Sequence, residues 1–137
     1  MAFTVSVGEA DFAALRNENE YYVDKTEIMY ELVHDTNNKV TLFTRPRRFG
    51  KTLMMSMMEN FFNIRKDSKS LFENLAIAKH KTFCKEWMNQ YPVLFISFKD
   101  AESETYEVAY AKLMNVIADV CKGISDKAKK EIGRAHV

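Results

Sequence analysis

Residues 39–64 constrain the fold of this chain more than any other stretch. An apolar run, K-V-T-L-F-T, precedes a short basic loop, R-P-R-R-F-G-K-T, and a second, longer apolar run follows the loop. The first run predicts a strand, which Pro46 ends because proline cannot donate a hydrogen bond to a sheet ladder. The second run predicts a helix from Lys51 to about Ile64, buried on more than one side. This order places the triplet G-K-T at the N-terminus of a helix.

A helix N-terminus preceded by such a loop is typical of a phosphate-binding site. The backbone N–H groups of the first turn have no partners within the helix, and the positive end of the helix dipole lies beneath them. Gly50 allows the backbone to approach a ligand with no Cβ between them. Lys51 is the predicted catalytic residue and is expected to contact the β- and γ-phosphates of ATP, while the Thr52 hydroxyl is expected to bind Mg²⁺. The predicted nucleotide-binding residues are Arg47, Arg48, Phe49, Gly50, Lys51 and Thr52.

One position departs from the usual pattern G-x-x-x-x-G-K-[ST], because Arg45 stands where the first glycine is expected. A basic turn between a strand and a helix, with no ligand, is therefore an alternative interpretation of the loop. The roles of Arg47 and Arg48 are also open. They contact phosphate or another domain, or they are solvated charges.

The sequence R-P-R-R-F-G-K-T, with Y-V-D-K-T before it and M-E-N-F-F after it, resembles the predicted AAA-ATPase-like family of prokaryotes. That family is similar to archaeal-type P-loop ATPases, which carry G-P-R-R-x-G-K-T. An early G-x-x-x-F segment and a later Y-P-V-L-F-I-S-F-K-D segment extend the resemblance over about residues 6 to 121. Arginine at the first-glycine position is usual in this family. The resemblance implies an ATP-hydrolysing switch or motor domain, a possible homo-oligomer, and in longer chains a C-terminal nuclease-like domain.

The predicted fold is α/β, a P-loop NTPase-type parallel sheet with flanking helices, present only as its N-terminal half. Residues 1–38 are predicted to form a helical segment before the loop, and residues 39–130 the N-terminal part of the ATPase-like domain. The run P-V-L-F-I-S-F at residues 92–98 predicts a second strand, and the helix after it is expected to stop at Gly123. Residues 131–137 read as the translation of a common sequencing adapter, with a frayed natural tail as the alternative.

An ATPase also needs an acidic residue, at the end of another strand, that holds Mg²⁺ and orients water. Asp100 is the candidate, but a charge that caps the strand end is the favoured interpretation. The resemblance places the acidic strand further along the sequence and between the two predicted strands. We therefore expect the two strands to pair directly or to leave exposed edges. We also expect this segment alone to be inactive, and the full-length protein to be an ATPase.

Composition excludes several classes of partner. Apolar residues make up 47 % and charged residues 28 % of the chain, as in soluble globular proteins, and a net charge of +1 does not indicate nucleic acid. No apolar run is long enough to span a bilayer, and no signal peptide is evident, so we expect a cytoplasmic location without a membrane partner. Cys84 and Cys121 are expected to be free thiols, which fits a reducing compartment.

Three functions remain open at this point. The first is ATP binding with Mg²⁺-dependent hydrolysis. The second is a small phosphotransferase (a kinase) with the same loop, although such enzymes usually keep the first glycine. The third is a scaffold module whose loop has lost its affinity for nucleotide, although Lys51 and Thr52 are intact.

Overall fold

The computed structural model describes residues 10–37, 39–46, 50–98 and 101–135, with side chains up to residue 125 except that of residue 124. These residues fall into two compact units, divided after Val93. The described helices of the first unit are α1 (Phe12–Asn17), α2 (Glu27–His34), α3 (Lys51–Phe62), 3₁₀ helices at Lys69–Phe72 and Ala76–Lys79, and α4 (Lys81–Trp87). The second unit contains α5 (Tyr106–Ala135).

The first unit is built around an aromatic and aliphatic core. Phe61 of α3 is fully buried, and its ring lies 5.2 Å from that of Phe72 and 5.8 Å from that of Phe83, measured between ring centroids. Phe12 of α1 stacks on Phe72 at 4.9 Å. Burial of large rings supplies much of the stability of a small domain. The buried core residues are Phe12, Met29, Met57, Phe61, Phe72, Leu75, Ile77 and Phe83.

Helix α3 contacts this core with one side and solvent with the other. Met57 and Phe61 are fully buried, whereas Met55 is 47 % exposed. Ser56 on α3 accepts a hydrogen bond from the backbone N–H of Phe12 at 3.1 Å, which joins the start of α1 to the middle of α3. Met57 and Phe61 are therefore buried as predicted, but the exposure of Met55 departs from the predicted burial on more than one side.

Asn89 forms hydrogen bonds with the C-terminal end of α3. Its φ is +56°, in the left-handed region, and its side chain donates to the carbonyl oxygens of Asn60 and Asn63 at 3.0 and 2.8 Å. Its Oδ1 accepts from the N–H of Ser68 at 3.1 Å. The last carbonyls of a helix have no partner within the helix, so one asparagine side chain here satisfies groups that would otherwise be unpaired.

The predicted parallel sheet is wrong, because the described residues are helical and contain no sheet. An isolated parallel β-bridge between Asn63 and Tyr91 is a strand-like pairing found among the described residues. No backbone hydrogen bond joins residues 40–46 to another described residue, and Val40 and Leu42 are 85 % and 82 % exposed. A strand satisfies its backbone groups only through a neighbouring strand, so an apolar alternation alone does not form a ladder.

The second predicted strand has the same outcome. Residues 92–98 form no strand, and Leu94 and Phe98 are 56 % and 63 % exposed. Neither segment therefore forms the strand that its apolar pattern predicted.

Helix α5 begins at Tyr106, where the sequence predicted a helix, but it continues past Gly123 to Ala135. Gly123 was expected to end the helix, and that prediction is wrong. A glycine ends a helix when it adopts a left-handed conformation, whereas within a helix it only lowers stability by about 1 kcal/mol relative to alanine. None of the described helices is both long enough and apolar enough to cross a membrane.

Candidate phosphate-binding site

Gly50 stands at the N-cap of α3 in a left-handed conformation, with φ +76° and ψ 24°. Its carbonyl oxygen accepts a hydrogen bond from the N–H of Met54 at 2.9 Å, which starts the helix. A side chain with a Cβ is strained at this φ, so the position favours glycine on backbone grounds alone. The sequence predicted Gly50 for its lack of a Cβ, and the structure adds a second reason for the same residue.

Lys51 and Thr52 are the first two residues of α3, and both side chains are exposed. No acidic residue lies in the first turn of α3. Anionic side chains are the ones usually favoured at this end of a helix, so the positive end of the α3 dipole is left without a negative charge from its own turn. The predicted residues Arg47, Arg48 and Phe49 lie outside the described residues.

Lys25 is a residue near this site that the sequence analysis did not single out. Its Nζ lies 3.9 Å from the point that a Cβ on Gly50 would occupy. Lys25 is exposed, and no ion pair joins it to another described residue. It belongs to the Y-V-D-K-T segment, which carries part of the family resemblance.

The residues on both sides of Lys25 are hydrogen-bonded to the 3₁₀ helix Ala76–Lys79. The Asp24 carboxylate accepts from the N–H of Ala76 at 2.6 Å, and the Thr26 hydroxyl accepts from the N–H of Ile77 at 3.1 Å. Thr26 also donates its hydroxyl to Asp24 at 2.6 Å. We call Asp24, Thr26 and these backbone groups the Asp24 clamp. The clamp explains why Thr26, the N-cap of α2, makes no side-chain cap hydrogen bond: its hydroxyl bonds to Asp24 and to the N–H of Ile77 instead.

The charge of Asp24 is stabilised by this clamp. Burial by itself would raise the pKa of the carboxyl group. Hydrogen bonds from the Thr26 hydroxyl and from the N–H groups of Thr26 and Ala76, together with the charge of Arg16, outweigh burial and hold the pKa below its ordinary value. The clamp is therefore strongest when Asp24 is ionised.

Tyr22 and Val23, for which contact with an adenine base and structural packing are the alternative interpretations, have different environments. Tyr22 is half-buried, packs edge-on against Phe12 at 5.3 Å, and directs its hydroxyl to the sulfur of Met57 at 3.1 Å. Burial, the largest effect, raises the pKa of Tyr22 above its ordinary value. These contacts support the packing interpretation of Tyr22. Val23 is 57 % exposed.

Two further predictions concern the metal and the acid. Among the described residues, no group of three or more His, Cys, Asp or Glu side chains is placed to hold a metal ion. Asp100, the candidate for the acidic residue, lies outside the described residues.

A cavity of about 740 Å³ lies elsewhere in the first unit. Its lining includes Phe72, Ala78, Cys84 and Met88, and it includes neither Lys25 nor the first residues of α3. Burial raises the pKa of the Cys84 thiol and so favours the protonated thiol, which is less reactive than the thiolate. The candidate phosphate site is thus an exposed helix end and not this cavity.

Comparison with known proteins now adds to this geometry. Residues 6–135 match the protein family described as "Predicted AAA-ATPase". Over 93 residues the chain is 33 % identical to a protein of Azotobacter chroococcum mcd 1, described as an uncharacterized protein in the vnfD 5' region. That alignment covers 67 % of this chain and 16 % of the relative, so the chain spans about a sixth of the relative's length. No solved structure shows a significant match.

Proposed function

This chain belongs to the family of predicted AAA-ATPases, and we propose that it binds ATP at the N-terminus of α3. The observation that carries the proposal is the geometry of positions 50–52. A left-handed glycine caps the helix, and an exposed lysine and an exposed threonine follow it directly. The unpaired N–H groups and the positive end of the helix dipole, with a lysine in the same turn, favour an anion of high charge density.

Each residue then has a defined role. The N–H groups of the first turn of α3 donate to phosphate oxygens, and the backbone at Gly50 can lie close to them because no Cβ intervenes. Lys51 neutralises charge on the β- and γ-phosphates. The Thr52 hydroxyl would hold Mg²⁺, which would offset the charge of the phosphates when it is bound. Arg47, Arg48 and Phe49 complete the proposed nucleotide-binding loop.

Hydrolysis belongs to the same proposal, as an activity of the whole protein acting as a switch or motor domain. It needs a group that orients water toward the γ-phosphate, and no such group is assigned among the described residues. The assignment of Asp100 as the acidic residue that orients water stays a prediction. Binding by this chain and turnover by the whole protein are therefore separate claims, and they call for separate measurements.

The chain offers an internal control for the binding test, because α4 also begins with Lys-Thr. Lys81 and Thr82 open α4 as Lys51 and Thr52 open α3, but the residue before them is His80, whose φ is −86°. ATP binding would be measured by isothermal titration calorimetry with Mg²⁺ for the wild type, Lys51→Ala and Lys81→Ala. We expect Lys51→Ala to weaken ATP binding at least about tenfold, the effect of one charge-assisted hydrogen bond, and Lys81→Ala to leave it unchanged.

Thr52→Ala and Thr82→Ala form the second matched pair. Removal of the Thr52 hydroxyl should reduce the gain in ATP affinity that Mg²⁺ provides, while the Thr82 variant should keep that gain. No ATP binding by the folded wild type would contradict the proposal and favour the scaffold alternative. If the protein transfers phosphate from ATP to a small metabolite and releases no phosphate to water, the kinase alternative is favoured.

A further inference from the structure

We infer that Lys25 is a second phosphate-binding cation of this site and that it favours nucleoside triphosphates over diphosphates. The inference rests on the proposed function, since it assigns another residue to the same ligand. Lys51 reaches the phosphates from the first turn of α3. Lys25 reaches them from the segment before α2, and its Nζ lies beside Gly50.

The backbone of Lys25 is held in place on both sides. Asp24 and Thr26 are hydrogen-bonded to the N–H groups of Ala76 and Ile77, and Thr26 is fully buried. The side chain of Lys25 is exposed and extends from this anchored backbone. A lysine anchored in this way loses less conformational entropy on binding a ligand than one on a mobile loop.

The position of this ammonium group is electrostatically unfavourable in the absence of an anion. It lies near the positive end of the α3 dipole, where cations are disfavoured. The first turn of α3 supplies no acid, and no described residue forms an ion pair with Lys25. An anionic ligand at the helix N-terminus would relieve this repulsion between Lys25, Lys51 and the dipole together.

Two ammonium groups that approach from different segments respond to the total charge of the phosphate chain. A nucleoside triphosphate carries more charge than a diphosphate and extends further from the helix end, so it can contact both lysines. The loss of Lys25 should therefore weaken ATP binding more than ADP binding. This difference separates a direct phosphate contact from a general effect on the fold.

The test uses the whole 137-residue chain and measures the dissociation constants of ATP and ADP with Mg²⁺ by calorimetry. The variants are Lys25→Gln, Lys25→Arg and Lys81→Gln, the last as a lysine control on α4. We expect Lys25→Gln to weaken ATP binding about tenfold and ADP binding by a smaller factor. Lys25→Arg should restore most of the ATP affinity because it keeps the charge. The dependence of ATP binding on salt should be weaker in Lys25→Gln than in the wild type.

Thermal unfolding of the same variants without nucleotide distinguishes a ligand contact from a structural role. Lys25→Gln should melt at the wild-type temperature or slightly above, because it removes a repulsion. Equal ATP affinity in Lys25→Gln and Lys81→Gln would overturn the assignment of Lys25 while leaving the proposed function intact. An equal loss for ATP and ADP, or a lowered melting temperature in Lys25→Gln, would also overturn it. If the wild type does not bind ATP, or if Lys51→Ala binds ATP as tightly as the wild type does, both proposals fall.

Discussion

Helix α3 and the segment of residues 40–46 before it both contain several apolar residues, but these residues differ in burial. In α3, Met57 and Phe61 are fully buried, whereas Val40 and Leu42 in the segment before the loop are 85 % and 82 % exposed. A helix satisfies its backbone hydrogen bonds within itself, so its apolar face needs only side-chain partners. A strand needs a neighbouring backbone as well as side-chain partners. The local apolar pattern is therefore sufficient to predict the helix α3 but not to predict a strand at residues 40–46.

The contrast also shows what holds the first unit together. The partners of α3 are nearby helices and the hydrogen bonds that Asn89 makes at the C-terminal end of α3. Asp24 joins the segment before α2 to the 3₁₀ helix Ala76–Lys79. The four predictions below test this difference between a well-partnered helix and an unpartnered segment. They begin with the largest expected effect.

Phe61→Ala should have the largest effect on stability. Phe61 is fully buried among aromatic rings, and its loss creates a cavity as well as removing buried apolar area. We expect the free energy of unfolding to fall by about 3–5 kcal/mol, measured by urea denaturation. Met55→Ala, at an exposed position on the same helix, should change it by less than about 1 kcal/mol. Similar values for the two variants would contradict the described orientation of α3.

Asn89→Gly should have the next largest effect. Glycine tolerates the left-handed φ of Asn89, so the substitution removes the side-chain hydrogen bonds to Asn60, Asn63 and Ser68 without adding backbone strain. We expect a loss of about 2 kcal/mol in the free energy of unfolding.

Asn74→Gly is the matched control for Asn89→Gly. Asn74 has φ +63° but an exposed side chain, so its replacement should cost no more than a few tenths of a kcal/mol. If both variants lose the same amount, the effect of Asn89 comes from its backbone conformation and not from the hydrogen bonds at the end of α3.

The sequence predicts those parts of the molecule whose structure depends on near neighbours. The spacing of apolar residues places α3 at Lys51 and α5 near Tyr106, as observed. The prediction of family from R-P-R-R-F-G-K-T is confirmed by the match over residues 6–135. Neither inference requires knowledge of what lies across the fold.

Features that depend on distant residues were not predictable in this way. Asp24 and Ala76 are 52 residues apart in sequence, and their hydrogen bond determines where Lys25 lies. No periodicity signals such a contact. The predicted strands are absent for a related reason. The side-chain pattern of a strand is local in sequence, whereas its backbone partners are distant in sequence. The assignment of residues 131–137 to sequencing adapter stays a prediction.

Asp24→Asn should have a smaller and pH-dependent effect. The pKa of Asp24 is lowered in the folded state, so its contribution to stability is present above the ordinary aspartate pKa and is lost as the pH falls through the folded-state pKa. We expect the variant to lose about 1–2 kcal/mol in unfolding free energy at pH 7, and less as the pH is lowered toward and below 4. Urea unfolding at a series of pH values measures this difference.

Asp67→Asn serves as the control for Asp24→Asn, because Asp67 is an exposed aspartate of the same unit. Its substitution should change stability by no more than about 0.5 kcal/mol at pH 7. A deficit in Asp24→Asn that stays constant down to pH 2 would show that the ionised carboxylate is not the source of the clamp's stability.

The smallest effect on stability is expected in the unpartnered segment, from Val40→Thr combined with Leu42→Ser. Both side chains are more than four-fifths exposed, so the unfolding free energy should change by less than about 0.5 kcal/mol. Exposed apolar residues on an unpaired segment favour association with other chains, so the same variant should self-associate less at high concentration. Light scattering across a concentration series measures that association, and urea denaturation measures stability. A loss above about 1 kcal/mol would mean that residues 40–46 are packed in solution, and the contrast with α3 would then disappear.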